Sequence, residues 1–147
     1  MLPTGHISVS YLLHRYARVD LRIAVIATLF PDVLDKSLKL ILHVMPAGRT
    51  FGHGLPLVLA ATVLVALWKG RYGAYSWFMG HFCHLLADWP LTGYVPWLYP
   101  LVEYDFPSGG PPVLVTWPEL VLDLGTLSMA LYVFWKAKRA ESSPDGI

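Results

Sequence analysis

The sequence predicts an all-α fold: a small polytopic membrane bundle with short and partial spans, an interfacial amphipathic helix and a polar, metal-binding end. Three observations lead there. Hydrophobic residues fill 55% of the 147 positions, and mean hydropathy is +0.50. Charged residues make up only 14%, against roughly 25% in an ordinary soluble domain, too few to cover a water-facing surface. Finally, apolar runs closed by basic clusters recur along the chain, and no segment alternates with the two-residue period of a half-buried strand.

The elements follow in order. Thr4 is placed to cap a helix from Gly5 to about Tyr16, and Arg15, Arg18 and Arg22 form a basic turn after it. The run LRIAVIATLF, residues 21–30, is apolar and short, and Pro31 follows. In PDVLDKSLKLILHVM, Val33, Leu34, Leu38, Leu40, Ile41 and Val44 interleave with Lys36, Lys39 and His43, the pattern of an interfacial helix. PAGRTFGHG is a glycine-rich loop. Leu55 to Trp68 is almost wholly apolar and closed by Lys69 and Arg71, shorter than the about 20 residues a full crossing needs. Tyr72 to Trp89 is a second apolar segment with aromatic ends. A loop rich in Trp and Tyr over 93–112 fits the headgroup layer. Val113 to Trp135 has the length to span, with Pro118 and Gly125 as points of bending, before Lys136, Lys138 and Arg139.

One domain is expected, residues 1–139, with a flexible polar tail over 140–147. The first twenty residues lack the pattern of a signal peptide. Net charge is +1 and no basic stripe is interleaved with aromatics, so no nucleic-acid partner is expected. The single cysteine, Cys83, excludes an internal disulfide and a cysteine-rich metal site; it reads as a small buried residue.

Placing the three basic clusters on the cytoplasmic side threads the segments up and down, although Lys36, Lys39 and Arg49 then fall on the opposite side. In this threading His6, Asp32, Asp35, His53, His84 and Asp88 all lie at the end of the bundle away from the basic clusters. His84 and Asp88 are four apart and share a helix face, as does His81, three before His84. Carboxylates inside a bilayer cost at least about 2.5–3.5 kcal/mol on insertion scales and usually serve a function. Imidazoles and carboxylates converging there suit a divalent metal, against the plainer reading of a hydrogen-bonded packing cluster. His14 is assigned to the headgroup border, His43 to solvent, and Asp20 and Asp35 are candidate helix caps. Glu119 and Asp123 are left to line the site, pair with Arg49 or sit near a membrane border.

Four pieces in order carry a family resemblance: Gly5-His6; FPDVLDKSL with Asp32, Asp35 and Lys36; GRTFGHGL with Gly48, Arg49 and His53; and GHFCHLLADWP with His84 and Asp88, followed by Pro96, Trp97 and Pro100. Across residues 5–100 the chain resembles the YdjM-type, LexA-binding group of inner-membrane proteins described as metal-dependent hydrolases, a description resting on similarity to zinc-dependent phospholipase C. Many relatives read HRGxTHS at the third piece, where this chain has Gly48, Gly52 and Gly54, and others read PDxDH at the second. The resemblance implies a multi-pass protein of the inner (cytoplasmic) membrane. It also implies a divalent metal, zinc first, as one or two ions, with His6, Asp32, His53, His84 and Asp88 as ligands. Asp35 is then the spare carboxylate, to bridge, orient a histidine or act as general base, and Arg49 stabilises charge on a phosphoryl group. The expected partners are membrane lipids, with a lipid headgroup or other phosphoester as substrate. The alternative is a non-catalytic membrane protein whose His/Asp cluster is a structural metal or helix-packing site; a metal or proton pathway ranks last, because few polar residues continue deeper. Nothing in the chain points to repressor binding.

Overall fold

A computed structural model describes residues 2–45, 47–92, 95–106 and 116–142, which are helical apart from turns and connections. The helices are α1 (Pro3–Ala17), α2 (Leu21–Leu40), α3 (Leu55–Thr92) and α4 (Trp117–Ser142), with a single 3-10 turn, Phe51–His53, ahead of α3.

α1 begins two residues before the expected start. Thr4 lies inside its first turn and Leu2, the residue at the cap position, supplies no side-chain bond. Arg18, in the left-handed conformation at φ 55°, ends α1. Asp20 then caps α2, accepting a 3.0 Å hydrogen bond from the Ile23 amide. The apolar run 21–30 and the amphipathic stretch after Pro31, expected as separate elements, form one continuous helix. Proline within a helix removes a backbone bond, at about 3 kcal/mol or more. Here Pro31, Asp32 and Asp35 are all buried, and the contacts of that turn offset the loss. The helix stops at Leu40, so the amphipathic face is its last turns, and Ile41, Leu42 and Val44 lie exposed beyond it.

α3 is not one rod. Gly70 sits at φ 71°, ψ −173°, backbone open to glycine and strained for other residues. There the helix folds back into an arm over 55–69 and an arm over 71–92, about 22 Å and 33 Å long at 1.5 Å per residue. Val58 and Leu85 share one buried cluster with Val95, which a straight helix would forbid. This is the break expected between the segments 55–68 and 72–89. In α4, Pro118 occupies the second position, where its missing amide is unneeded; it starts the helix instead of bending it. α4 runs on through Ser142, taking in the first residues of the expected tail; residues 143–147, and the 107–115 part of the expected aromatic loop and last span, lie outside the described residues.

α1 and α2 run antiparallel, joined by a 3.0 Å hydrogen bond between the Ser10 and Thr28 hydroxyls. The second arm of α3 runs parallel to α2: the Ser76 hydroxyl accepts from the Asp20 amide at 2.8 Å, and the Gly80 carbonyl accepts from Thr28 at 3.2 Å. α4 runs parallel to α1, with Asp123 beside Leu2 and Phe134 beside Tyr11. All chain turns therefore alternate between the same two ends.

The distribution of polarity is inverted relative to a soluble bundle. Among the described residues buried polar and charged side chains outnumber buried hydrophobic ones and include four histidines and four aspartates, while Leu64, Leu67, Val121, Leu124 and Leu131 are among many large apolar side chains left exposed. Leu55–Trp89 and Trp117–Glu141 are long and apolar enough to cross a membrane, and little of either is buried, unlike the core helix of a soluble protein. Gly70 folds the first of these back into two shorter arms.

Candidate metal centre

The polar end is assembled from α2, the 3-10 turn and the second arm of α3. Asp32 and Asp35 lie one turn apart on α2, and His84 and Asp88 one turn apart on the second arm. His53 closes the 3-10 turn, just where the first arm begins. Asp32, His53, His84 and Asp88 are all buried, and one ligand atom from each lies within 4.8 Å of all the others. His53 Nε2 is 3.1 Å from His84 Nε2, 3.7 Å from Asp88 Oδ2 and 3.9 Å from Asp32 Oδ1. His84 Nε2 is 3.9 Å from Asp88 Oδ2. Four donors placed tetrahedrally about 2.0–2.1 Å from a zinc-sized ion would sit roughly 3.3–3.4 Å apart. The observed set brackets that spacing and is slightly expanded, so these four residues fit a small divalent cation.

Asp35 orients His53 and is itself fully engaged. Its carboxylate accepts from the Thr50 amide (2.6 Å), the Thr50 hydroxyl (3.2 Å), the Gly52 amide (2.7 Å) and His53 Nδ1 (2.7 Å). With the Nδ1 proton held there, His53 Nε2 is the nitrogen facing the cluster, the arrangement by which outer carboxylates fix a ligand tautomer. Burial disfavours the charged imidazole, but the carboxylates of Asp35, Asp88 and Asp32 outweigh it and raise the His53 pKa above the ordinary histidine value.

Gly52 makes the loop's approach feasible. A Cβ there would fall 2.7 Å from the Pro31 carbonyl oxygen and 3.1 Å from the Asp35 carboxyl carbon, inside contact distance. Glycine at this position is thus a packing requirement of this chain.

Two cations border the cluster. Arg49 Nε donates to Asp88 Oδ2 at 2.9 Å, and Lys36 Nζ lies 2.8 Å from Asp32 Oδ2. Both remain partly exposed, at 34% and 44% of their side chains.

His6 stands beside this group, not within the set of four. Its ring stacks on His84 with centroids 4.2 Å apart, and neither of its nitrogens, both buried, has a hydrogen-bond partner in the protein. A buried polar atom without a partner costs about 1–3 kcal/mol, so His6 has two donor or acceptor positions available to a bound group. His84 Nδ1 is also without one. His81 points elsewhere: it lies against Phe30 and Trp77, and its Nε2 donates to the Gly52 carbonyl at 2.9 Å, bracing the loop that carries His53.

Asp123, whose role the sequence leaves open, caps α1 from α4. It accepts from the Leu2 amide at 2.9 Å, the Thr4 hydroxyl at 2.7 Å and the Gly5 amide at 3.1 Å, fixing the turn that carries His6. A lone acid in an apolar helix signals that a partner exists, but nothing in sequence shows that the partner lies about 120 residues away. Glu119 serves α4 locally, accepting from the Thr116 amide at 2.9 Å. His14 Nδ1 donates to the Val19 carbonyl at 2.7 Å, and His43 is exposed. The aromatic loop does more than anchor at an interface: Val95 is buried, Trp97 packs on the core beside Phe82 and Trp89, and the Trp97 carbonyl accepts from the Leu55 amide at 2.8 Å.

An inverted helical bundle with a buried His/Asp group at one end defines a small membrane protein with a site that could hold a metal. The chain belongs to the YdjM inner membrane protein family, whose profile matches residues 3–142. Comparison with curated proteins and with solved structures gives no match.

Proposed function

We propose that this protein is a multi-pass, metal-dependent hydrolase of the inner membrane, acting on a phosphoester such as a lipid headgroup. One observation carries the reading: two imidazole nitrogens and two carboxylates converge from three separate elements at the spacing of a cation's ligands, with guanidinium and ammonium groups on their outer side. A bound divalent ion, zinc by its suitability for imidazole with carboxylate, would supply Lewis acidity and acidify water at neutral pH.

The chain's own groups do the rest. Asp32, His53, His84 and Asp88 hold the cation, and the unpartnered nitrogens of His6 provide a fifth position or one for a second ion. Asp35 acts as a positioning residue: with four hydrogen bonds already accepted, it has no free edge from which to serve as general base. Arg49 offers a planar fork of donors suited to phosphate oxygens, and its Nε donates to Asp88. Lys36 supplies a second positive charge on the Asp32 side.

Burial of His53, His84 and Asp88 to 1% or less favours the other reading, a structural ion enclosed by the bundle. The two part on access. A catalytic site keeps an open position, and the partial exposure of Asp32, Lys36 and Arg49 supplies one. Elemental analysis of detergent-purified protein, with His84→Ala and Asp88→Ala variants, tests the cation: near-stoichiometric metal in the parent and loss of it in folded variants is expected. Full metal content in both variants would end the metal assignment. A screen of phospholipids and phosphomonoesters with and without chelator tests turnover; chelator-insensitive or absent hydrolysis in metal-loaded protein leaves the structural reading standing.

A further inference from the structure

We infer that a cleft between α1 and α4, at the basic end of the bundle, binds the headgroup phosphate of an anionic phospholipid. The site lies at the end opposite the His/Asp cluster and depends neither on a metal nor on hydrolysis there.

The cleft has a volume of about 320 Å³, at the lower end of the roughly 300–1,000 Å³ of ordinary ligand sites. It opens where the packing between the two helices changes. Tyr11 and Phe134 meet edge to face with centroids 6.4 Å apart. One turn further along, α4 presents Ala137 and then Ala140, and these small side chains leave a space that buried Val133 floors.

Charge sets what the cleft accepts. Arg15 of α1 and Lys136 of α4 both line it, and no carboxylate does. Among the described residues the ion pairs of lysine and arginine are Lys36 with Asp32 and Arg49 with Asp88, so the two positive charges of the cleft face each other across parallel helices without an anion between them. Their neighbours are placed differently: Lys69 and Arg139 lie over the rings of Trp68 and Trp135. A guanidinium offers a fork of donors that matches phosphate oxygens, and an ammonium group adds three more. Tyr16 and Tyr132, exposed at the same cleft, bring hydroxyl donors.

The anion is a lipid's because of where the cleft opens. Its alanine and valine lining runs on into the exposed apolar face of α4, with Leu131 and Phe134, along which acyl chains can lie. Tyrosines beside cations mark headgroup depth, and basic pockets between membrane helices hold anionic headgroups. A phosphatidylcholine headgroup would bring a quaternary ammonium to a place that already holds two cations. An anionic headgroup brings only the missing charge, and its phosphate ties α1 to α4.

Thermal melting and native mass spectrometry of the full chain in non-ionic detergent test this, with phosphatidylglycerol or phosphatidylcholine of the same acyl chains as titrant. Phosphatidylglycerol is expected to stay bound and to raise the melting temperature, as any ligand of the folded state does; phosphatidylcholine and soluble glycerol 3-phosphate are expected to do neither at the same concentration. Replacing both Arg15→Gln and Lys136→Gln should raise the phosphatidylglycerol concentration for half the shift about thirtyfold, the loss of two basic contacts at a membrane surface. Ala140→Phe, which fills the cleft and removes no charge, should weaken the response in the same direction. Arg71→Gln with Lys138→Gln removes equal charge from outside the cleft and should leave the titration as in the parent. Equal response to the two lipids, equal weakening by the outside pair, the same shift from glycerol 3-phosphate, or a parental titration in the folded cleft variants would each overturn the inference.

Discussion

The two ends of this bundle are built from the same helices and held by opposite means. At one end Asp32, Asp35, His53, His84 and Asp88 are buried and joined through short polar contacts that cross three elements. At the other, Arg15, Arg18, Lys69, Lys136 and Arg139 lie near the surface, with Lys69 over the Trp68 ring at 4.1 Å and Arg139 over the Trp135 ring at 3.9 Å. Helix-to-helix contacts there are single bonds, two of them from exposed tyrosines: Tyr72 donates to the Arg18 carbonyl at 2.7 Å and Tyr75 to that of Ala17 at 3.2 Å, beside the Asp20 amide on the Ser76 hydroxyl. Exposed charges beside aromatic rings contribute little individually, whereas a buried polar network loses several kcal/mol when one member is removed. Charged groups occur at both ends, but the His/Asp end concentrates its polar contacts in a few buried side chains while the basic end spreads weak contacts over many.

The strongest way to break this contrast is Asp35→Ala. It leaves the buried amides of Thr50 and Gly52 and His53 Nδ1 without their acceptor. A loss of about 3–5 kcal/mol is expected, read as a large drop in melting temperature in detergent, with loss of bound metal because His53 is no longer held. Melting like the parent would show that the network is not what secures this end.

Legibility from sequence follows the same division. The apolar segments and their basic closures mark α1, both arms of α3 and α4, because composition and length alone decide whether a stretch can lie in lipid. The break near Gly70 is visible as Lys69 and Arg71 flanking a glycine between two apolar runs. The join across Pro31 is hidden: proline argues locally for a boundary, and only the long-range contacts of Asp32 and Asp35 with the 3-10 turn show why the helix continues. In the cluster, four-residue spacing pairs His84 with Asp88 directly. Adding Asp32 and His53 takes the up-and-down threading as well. Asp123 escapes both kinds of reasoning, since its partners Leu2, Thr4 and Gly5 carry no distinctive chemistry.

A smaller effect separates anchoring the site from forming it. Asp123→Ala removes the cap of α1 but no member of the His/Asp group. Loss of an N-cap costs about 0.5–2 kcal/mol, so a modest fall in melting temperature is expected, together with weaker metal retention if His6 contributes a ligand. Loss of stability with unchanged metal affinity would place His6 outside the coordination sphere; no change in either would mean the cap is dispensable.

The smallest expected effect lies at the basic end. Tyr72→Phe deletes one exposed hydroxyl bonded to the Arg18 carbonyl, and water can take its place at that carbonyl. Exposed substitutions away from special features usually change stability by no more than about 0.5 kcal/mol. Melting temperature and metal content are therefore expected to match the parent. The measurement sharpens the contrast because Arg18 adopts φ 55° at the end of α1, where the Tyr72 bond, beside that of Tyr75 to Ala17, tethers α1 to the second arm of α3. If Tyr72→Phe destabilises the bundle as much as Asp123→Ala does, that tether fixes the α1–α2 corner, and the basic end has a critical contact of its own.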